Sequence, residues 1–482
     1  MSVGTVLSDN TRCLHLTRIG LKKVLANKET ESVSLDSCYT EDFIDRLNDH
    51  EFVGNSDYSN EIFLYHYVRL MEFCALLRAS NSSGSDVFPR FVDKALFSKA
   101  RMVAGHKVAF GSRVLNFVLA LAGFLLSVVA IFLLSVLLPF YLVRKKGSAR
   151  PLESYTHKKS VFIIRSKAAY QKCRVKIERT ESAVTFFDNY GDLDVPGLSI
   201  YSVINWKNIC SLSVKSAFYA LRDIKRFLGD SRRMLGATCA LALLPGYAKR
   251  ISHKAVYESC LNEVVRSFSE ADFFTGDKDD RFALLQSRIC KREKKRLFCL
   301  PHGLEYGFRF PGGLSATTFY CFTPEAARFL NYLYQEKKFV YSEAIVDEMY
   351  RIAFEEQGNE KVDRVCFFTE PRDPEVNHEI IKRLMGKGVK VFLKLHPLES
   401  SEEYRKLFPE IEQIEDFDDA IGSSTCLARK STVLLEASRR GAKSIAVLVN
   451  EKDRVYVMKI FPSLCSKNIL RALTFDELQG LL

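Results

Sequence analysis

The sequence predicts an α/β protein in which two consecutive doubly wound domains follow a small helical region and a membrane segment. Three observations predict it. From Ser160 onward, short apolar runs alternate with longer amphipathic ones, the pattern of a parallel sheet with crossover helices. The alternation starts again near Phe319, and a chain of 482 residues is too long for one hydrophobic core. Between Val114 and Val143 there is no charge, and about 20 apolar residues already suffice to cross a bilayer core. The expected boundaries are 1–110 for the helical region, 111–146 for the membrane segment, and 147–320 and 321–482 for the two α/β domains.

The elements follow in order. The N-terminal region mixes a helical stretch, Glu61–Ala79, with polar turns such as Asn81–Ser85. The apolar run permits a tilted single span, or a re-entrant hairpin bent at Gly123 or Pro139. More than a hundred residues precede it, which excludes a cleavable signal peptide. Arg144, Lys145 and Lys146 sit tight against its end and place the following domains in the cytosol, at the inner membrane. After a linker, Gly147–Lys159, the first domain has expected strands at Ser160–Ile164, Ala183–Phe187, Ser199–Ile204, Ala237–Leu244, Ala271–Thr275 and Arg296–Leu300, with helices at Val214–Phe227 and Lys254–Ser269. In the second, strands are expected at Phe319–Phe322, Lys338–Tyr341, Arg364–Phe368, Lys390–Leu395, Ile411–Ile414, Thr425–Arg429 and Ser444–Val449. Its helices are expected at Pro324–Tyr334, Asn377–Gly386 and Ser431–Gly441.

Composition narrows the function. Hydrophobic residues make up 47% and charged residues 27%, which excludes wholesale disorder. The formal charge of +12 favours an anionic partner. Basic residues crowd both flanks of the apolar run (Arg101, Lys107 and Arg113 before it, Arg144 to Arg150 after it), so lipid headgroups account for part of that charge without nucleic acid. The thirteen cysteines stand singly, with no CxxC pair, which argues against a cysteine-ligated metal and for a reducing compartment. No GxxxxGK[ST] and no strand-following GxGxxG occurs, so neither a P-loop enzyme nor an NAD enzyme is expected. Asp277-Lys278-Asp279-Asp280 reads as a solvated loop rather than a metal site.

Ligands of open α/β sheets sit beyond the carboxyl ends of the strands, so residues at those ends are the candidates. Leu297–Leu300 runs into Pro301-His302-Gly303, which puts an imidazole at a strand mouth where it can take a proton from a hydroxyl. Val391–Leu395 runs into His396-Pro397, with Lys394 two residues before the histidine, and a donor imidazole there suits a leaving phosphate. Ser431 and Thr432 open a helix after a strand, a ready seat for phosphate, and Glu436 lies one turn on. Phe368-Thr369-Glu370-Pro371 borders the same region.

The order of HG, then KxHP, then a Ser-Thr turn with a helix closing at Gly441 resembles bacterial GT-B glycosyltransferases of surface and capsular polysaccharide biosynthesis, including HP-motif sialyltransferases and CDP-glycerol glycerophosphotransferases. The resemblance covers residues 160–460 and is most specific from Lys394 to Gly441. It implies two Rossmann-like domains, the first for the acceptor and the second for the donor. It also implies that His396, Ser431 and Thr432 hold the donor's phosphates, that Glu436 contacts ribose or base, and that His302 is the acceptor-side base. Where the sialyltransferases carry an acidic D/E-D/E-G element this chain has Pro301-His302-Gly303, so Glu305 stands as a second candidate base. The expected activity is metal- and cofactor-independent transfer of a sugar from a nucleotide-sugar donor to a cell-surface polysaccharide or lipid-linked glycan. The alternatives are glycerol phosphate transfer from CDP-glycerol and a non-catalytic membrane scaffold.

Overall fold

A computed structural model describes residues 12–17, 20–25, 41–79, 91–105, 108–145, 152–188, 196–350 and 361–482. The turn Asn81–Ser85, Lys107, Lys146 and Arg150 lie outside them. The chain divides into two compact units, chiefly Arg46–His302 with Arg309–Phe319, and Gly303–Phe308 with Tyr320–Leu482. Near the N-terminus β1 (Arg12–Thr17) and β2 (Gly20–Leu25) form an antiparallel hairpin.

In the first unit, helices at Val68–Ala79 and Phe91–Val103 precede one unbroken helix of 36 residues, Phe110–Lys145. It passes through both Gly123 and Pro139, so of the two arrangements the run permits the re-entrant hairpin does not form. Among the described residues it is the one helix long and apolar enough to cross a membrane. One side of it packs against the helices Ile209–Leu235 and Ala237–Ser267.

A seven-stranded sheet takes in β3 (Ser160–Ile164), β4 (Ala183–Phe187), β5 (Leu198–Ser199), β6 (Asp272–Thr275), β7 (Leu297–Cys299), β8 (Thr318–Tyr320) and β9 (Phe339–Val340), in the order β5-β4-β3-β6-β7-β8-β9. The two strands expected to open the second domain's sheet, β8 and β9, lie in this one instead. The pairs from β5 to β8 are parallel. Four of the five residues of β3 are buried, as expected of a strand covered on both faces. Phe162, Phe274 and Phe298 lie in register on β3, β6 and β7, and their rings stack at centroid distances of 4.7 and 5.1 Å. This ladder holds the central strands face to face.

The second unit's sheet is wholly parallel, with β10 (Val362–Phe368), β11 (Val391–Lys394), β12 (Ser423–Ala428), β13 (Lys443–Val447) and β14 (Leu470–Ala472) in the order β11-β10-β12-β13-β14. Phe367, Leu393, Leu427 and Ile445 bring the strands into one core with Ile381 and Leu384 of the helix Pro374–Gly386.

Three expected strands are corrected. Ala237–Leu244 is the first quarter of the 31-residue helix Ala237–Ser267, because an apolar run of eight looks alike as a buried strand or a buried helix. Ser199–Ile204 is mostly a 3-10 turn, Ile200–Val203. Ile411–Ile414 contributes a single bridge, Leu393 to Gln413.

Candidate functional site

Each sheet has a point where the strand order reverses, and there the loops after two neighbouring strands part to leave room for a ligand. In the first sheet the reversal falls between β3 and β6, and in the second between β10 and β12. Polar residues gather at both.

At the first reversal Arg165 follows β3, Asp188 follows β4, and Gly276 and Asp277 follow β6. The Arg165 guanidinium pairs with Asp280 at 2.8 Å, Asp188 at 3.3 Å and Asp277 at 3.8 Å, and lies 3.4 Å from the ring centroid of Phe282. Burial alone would raise the Asp188 carboxyl. His253 at 3.2 Å, Arg165 and the Tyr201 hydroxyl at 2.8 Å outweigh it and hold the group well below the usual carboxylate range. Asp277 goes the other way: burial, with Asp280 beside it, pushes its carboxyl up to about 6, against the partial offset of Arg165 and His302. Asp280 caps the helix Arg281–Arg292 by accepting from the N–H groups of Phe282 and Ala283. The expected solvated loop is therefore corrected: Asp277 and Lys278 are buried and Asp280 is tied into the fold, because the segment turns inward from a strand end to meet Arg165.

His302 belongs to this cluster. Its backbone N–H and its ring Nδ1 both meet the Gly276 carbonyl, at 3.2 and 2.6 Å. A carbonyl can only accept, so Nδ1 carries a proton, and in the neutral ring the lone pair is then on Nε2, on a side chain that is exposed. That is the form of a base. Gly276 lets the helix Lys167–Arg179 pack close to this turn, since a Cβ there would lie 2.6 Å from the Cβ of Ala169.

At the second reversal, Thr369 follows β10 and Arg429 follows β12. Arg429 is fully buried and pairs with Asp453 through Nε at 2.5 Å and Nη2 at 3.1 Å, while Nη1 donates to the carbonyls of Arg372 and Asp373. Lys430 reaches the same carboxylate at 2.5 Å. Burial, with Arg429 beside it, holds its ammonium below the usual range despite Asp453. With both cations protonated the three groups sum to one positive charge, which suits an anionic ligand.

His396 has the opposite tautomer from His302. Its ring Nδ1 accepts from the Leu398 N–H at 3.2 Å, so Nε2 carries the proton. Its backbone N–H is held by the Thr369 hydroxyl and the Glu399 carboxylate, both at 3.1 Å, and Glu399 in turn accepts from the Tyr404 hydroxyl at 2.8 Å. Ser431 accepts from the Val433 N–H and closes its own turn, whereas the Thr432 side chain makes no cap bond. The helix that follows, Val433–Arg439, has only seven residues, so its dipole adds little beyond its first free N–H groups.

The other residues singled out in the sequence are held elsewhere. Glu305 is fully buried, accepting from the Phe322 N–H at 3.0 Å and the Ser463 hydroxyl at 2.7 Å. It ties a loop, and a base needs access that it lacks. The Lys394 ammonium donates to the Glu415 carbonyl at the edge strand of its sheet. Glu436 pairs with Arg440 one turn along its helix at 3.1 Å. Arg165, Asp188, Asp277 and Arg429 were not singled out as site residues; the available signal was that each stands at or just beyond the end of an apolar strand run.

A group of three buried carboxylates with ligand-like spacing, Asp57, Asp223 and Glu258, surrounds the Lys254 ammonium at 2.7, 2.6 and 3.2 Å, and Lys254, Arg222 and Arg288 together supply their counter-charge.

No family model matches the chain, and no curated protein matches it in sequence. Among solved structures, the UDP-N-acetylglucosamine 2-epimerase from Rickettsia bellii is 12% identical with a TM-score of 0.37, over 67% of this chain and 87% of its own. The S. aureus MnaA–UDP co-structure is 11% identical with a TM-score of 0.34, over 60% and 78%. A further UDP-N-acetylglucosamine 2-epimerase is 10% identical with a TM-score of 0.36, over 67% and 86%. Likenesses this loose assign no role to any residue here.

Proposed function

We propose that the chain is a membrane-attached transferase of the GT-B kind, moving a sugar from a nucleotide donor to a cell-surface polysaccharide or lipid-linked glycan on the cytosolic side of the membrane. The observation that carries the reading is a pair of imidazoles fixed in opposite tautomers at carboxyl ends of parallel strands, His302 with a free lone pair and His396 with a proton to donate. A transferase uses a base and a proton donor, and each unit supplies one of them. The acceptor hydroxyl gives its proton to His302 Nε2 as its oxygen bonds the anomeric carbon, and the bond from that carbon to the donor phosphate breaks. The nucleoside diphosphate that leaves gains negative charge, which the His396 Nε2–H, the positive balance at Arg429, Lys430 and Asp453, and the Thr432 hydroxyl are suited to receive. Neutralisation by these groups gives metal-independent chemistry a physical basis.

The test is a thermal-stability screen of the purified full chain against nucleotide sugars and CDP-glycerol, followed by assay of nucleoside diphosphate release. A ligand at 100 times its dissociation constant adds about 2.7 kcal/mol. One nucleotide sugar is expected to raise the melting temperature. Stabilisation by CDP-glycerol alone would transfer the assignment to glycerol phosphate chemistry, and no stabilisation by any of them would leave the scaffold reading.

A further inference from the structure

The helix Phe110–Lys145 has no polar face of its own. A stripe that includes Ala120, Ser127, Ile131, Ser135 and Leu142 is buried, and between Val114 and Tyr141 most of the remaining surface is apolar and exposed. Phe110 is 76% exposed, Leu126 75% and Val129 59%, and the neighbouring helix Ile209–Leu235 adds Val214 at 71% and Phe218 at 66%. Water-facing apolar surface on this scale requires a partner.

The stripe is seated on the α/β unit along its length. The Ser252 hydroxyl donates to the Ile131 carbonyl at 3.1 Å, and Ser213 to the Val136 carbonyl at 3.0 Å. A Cβ at Gly123 would lie 3.3 Å from the Pro245 ring. These contacts fix what lies level with the middle of the apolar helix. Two residues beyond Ser252 is Lys254, within 2.7 Å of Asp57 and 2.6 Å of Asp223. Tyr247, two residues beyond Pro245, packs its ring at a tilt against Phe227, and three residues on from Phe227 is Asp230, paired with Arg233 at 2.5 Å. The Lys254 pairs are enclosed by protein, but Arg250, two residues before Ser252, and Lys215, two residues beyond Ser213, keep 42% and 52% of their side chains exposed at the same level. Were Phe110–Lys145 to stand across a bilayer, these charges would face hydrocarbon, at several kcal/mol each. Its length, 36 residues or about 54 Å, also exceeds the ~30 Å hydrocarbon core.

We infer that this helix lies in the plane of the membrane, sunk by its own diameter into one leaflet, with the flank of Ile209–Leu235 beside it. The basic residues fit the headgroups of an anionic leaflet: Arg113 and Arg144 are exposed at the two ends of the apolar stretch, and Lys215 stands half exposed next to Val214. The inference rests on the membrane attachment proposed above and is independent of the transferase chemistry.

The test uses the full chain added to preformed phosphatidylcholine vesicles with and without phosphatidylglycerol. Co-sedimentation is expected and is expected to be stronger with the anionic lipid. The exposed pair Leu126→Glu with Phe132→Glu is expected to lower it tenfold or more while the melting temperature stays unchanged. Arg113→Cys and Arg144→Cys, which stand at headgroup level at the two ends, bound to intact vesicles and read against the background of the exposed Cys210, are both expected to react with a membrane-impermeant maleimide as fully before detergent as after it. Protection of one end until the vesicles dissolve would overturn the in-plane placement while leaving attachment intact. Failure to sediment, with self-association that the same double substitution abolishes, would overturn attachment itself and give the face to a second copy of the chain.

Discussion

His302 and His396 differ by one proton position, and each position is set by a backbone group: the Gly276 carbonyl for one, the Leu398 N–H for the other. The expected consequences separate cleanly. On the proposed function His396→Ala removes the donor meant for a charged phosphate, worth about 1.5–3 kcal/mol, and should weaken nucleotide-sugar binding roughly tenfold or more by calorimetry. His302→Ala should leave that affinity within about twofold of the parent. Asp277 makes a separate prediction in pH. Its carboxyl, raised from 3.8 to about 6, holds its proton more tightly folded than unfolded, so its contribution to stability is full below its unfolded value and is lost as pH rises through about 6. Glu258, lowered to about 2 because Lys254 and Arg288 outweigh its burial, contributes above its unfolded value and loses that contribution only in strong acid. Asp277→Asn should remove the first effect alone, so the melting temperature of the variant should gain on that of the parent between pH 4 and pH 7. A constant difference across that range would mean that Asp277 does not hold its proton in this way. The histidines were legible in the sequence because each ends an apolar run before a Gly or Pro. Their tautomers were not, since the Gly276 carbonyl that orients His302 is 26 residues away in the chain.

Among the elements, strands with both faces covered were the easiest to read. Ser160–Ile164 and Ala183–Phe187 occur with the bounds their composition predicts, and so does the helix Pro324–Tyr334, capped by Thr323 with Pro324 at its first position. Ala237–Leu244 misleads because apolar composition without period does not distinguish a buried strand from a buried helix. The clusters around Arg165 and Arg429 were invisible for another reason: one charged residue after an apolar run looks like surface until the strand order shows it at a reversal. The second cluster also carries stability. Asp453→Asn would leave Arg429 and Lys430 buried without their counter-charge, at a cost of about 3–5 kcal/mol. Urea unfolding should show the lower midpoint, and an unchanged midpoint would mean that the two cations find other partners.

For the whole molecule, the proposed function asks three things of two doubly wound units and a long apolar helix: a proton acceptor, a seat for an anionic leaving group, and a route to lipid. The chemistry is the central claim, and acceptor-dependent release of nucleoside diphosphate tests it most directly. With a nucleotide sugar that stabilises the chain and a glycan acceptor, the parent should turn over, and His302→Ala should slow release by about 10²–10⁴-fold while that nucleotide sugar still raises its melting temperature. Release at the parent's rate from both His302→Ala and His396→Ala would contradict the account.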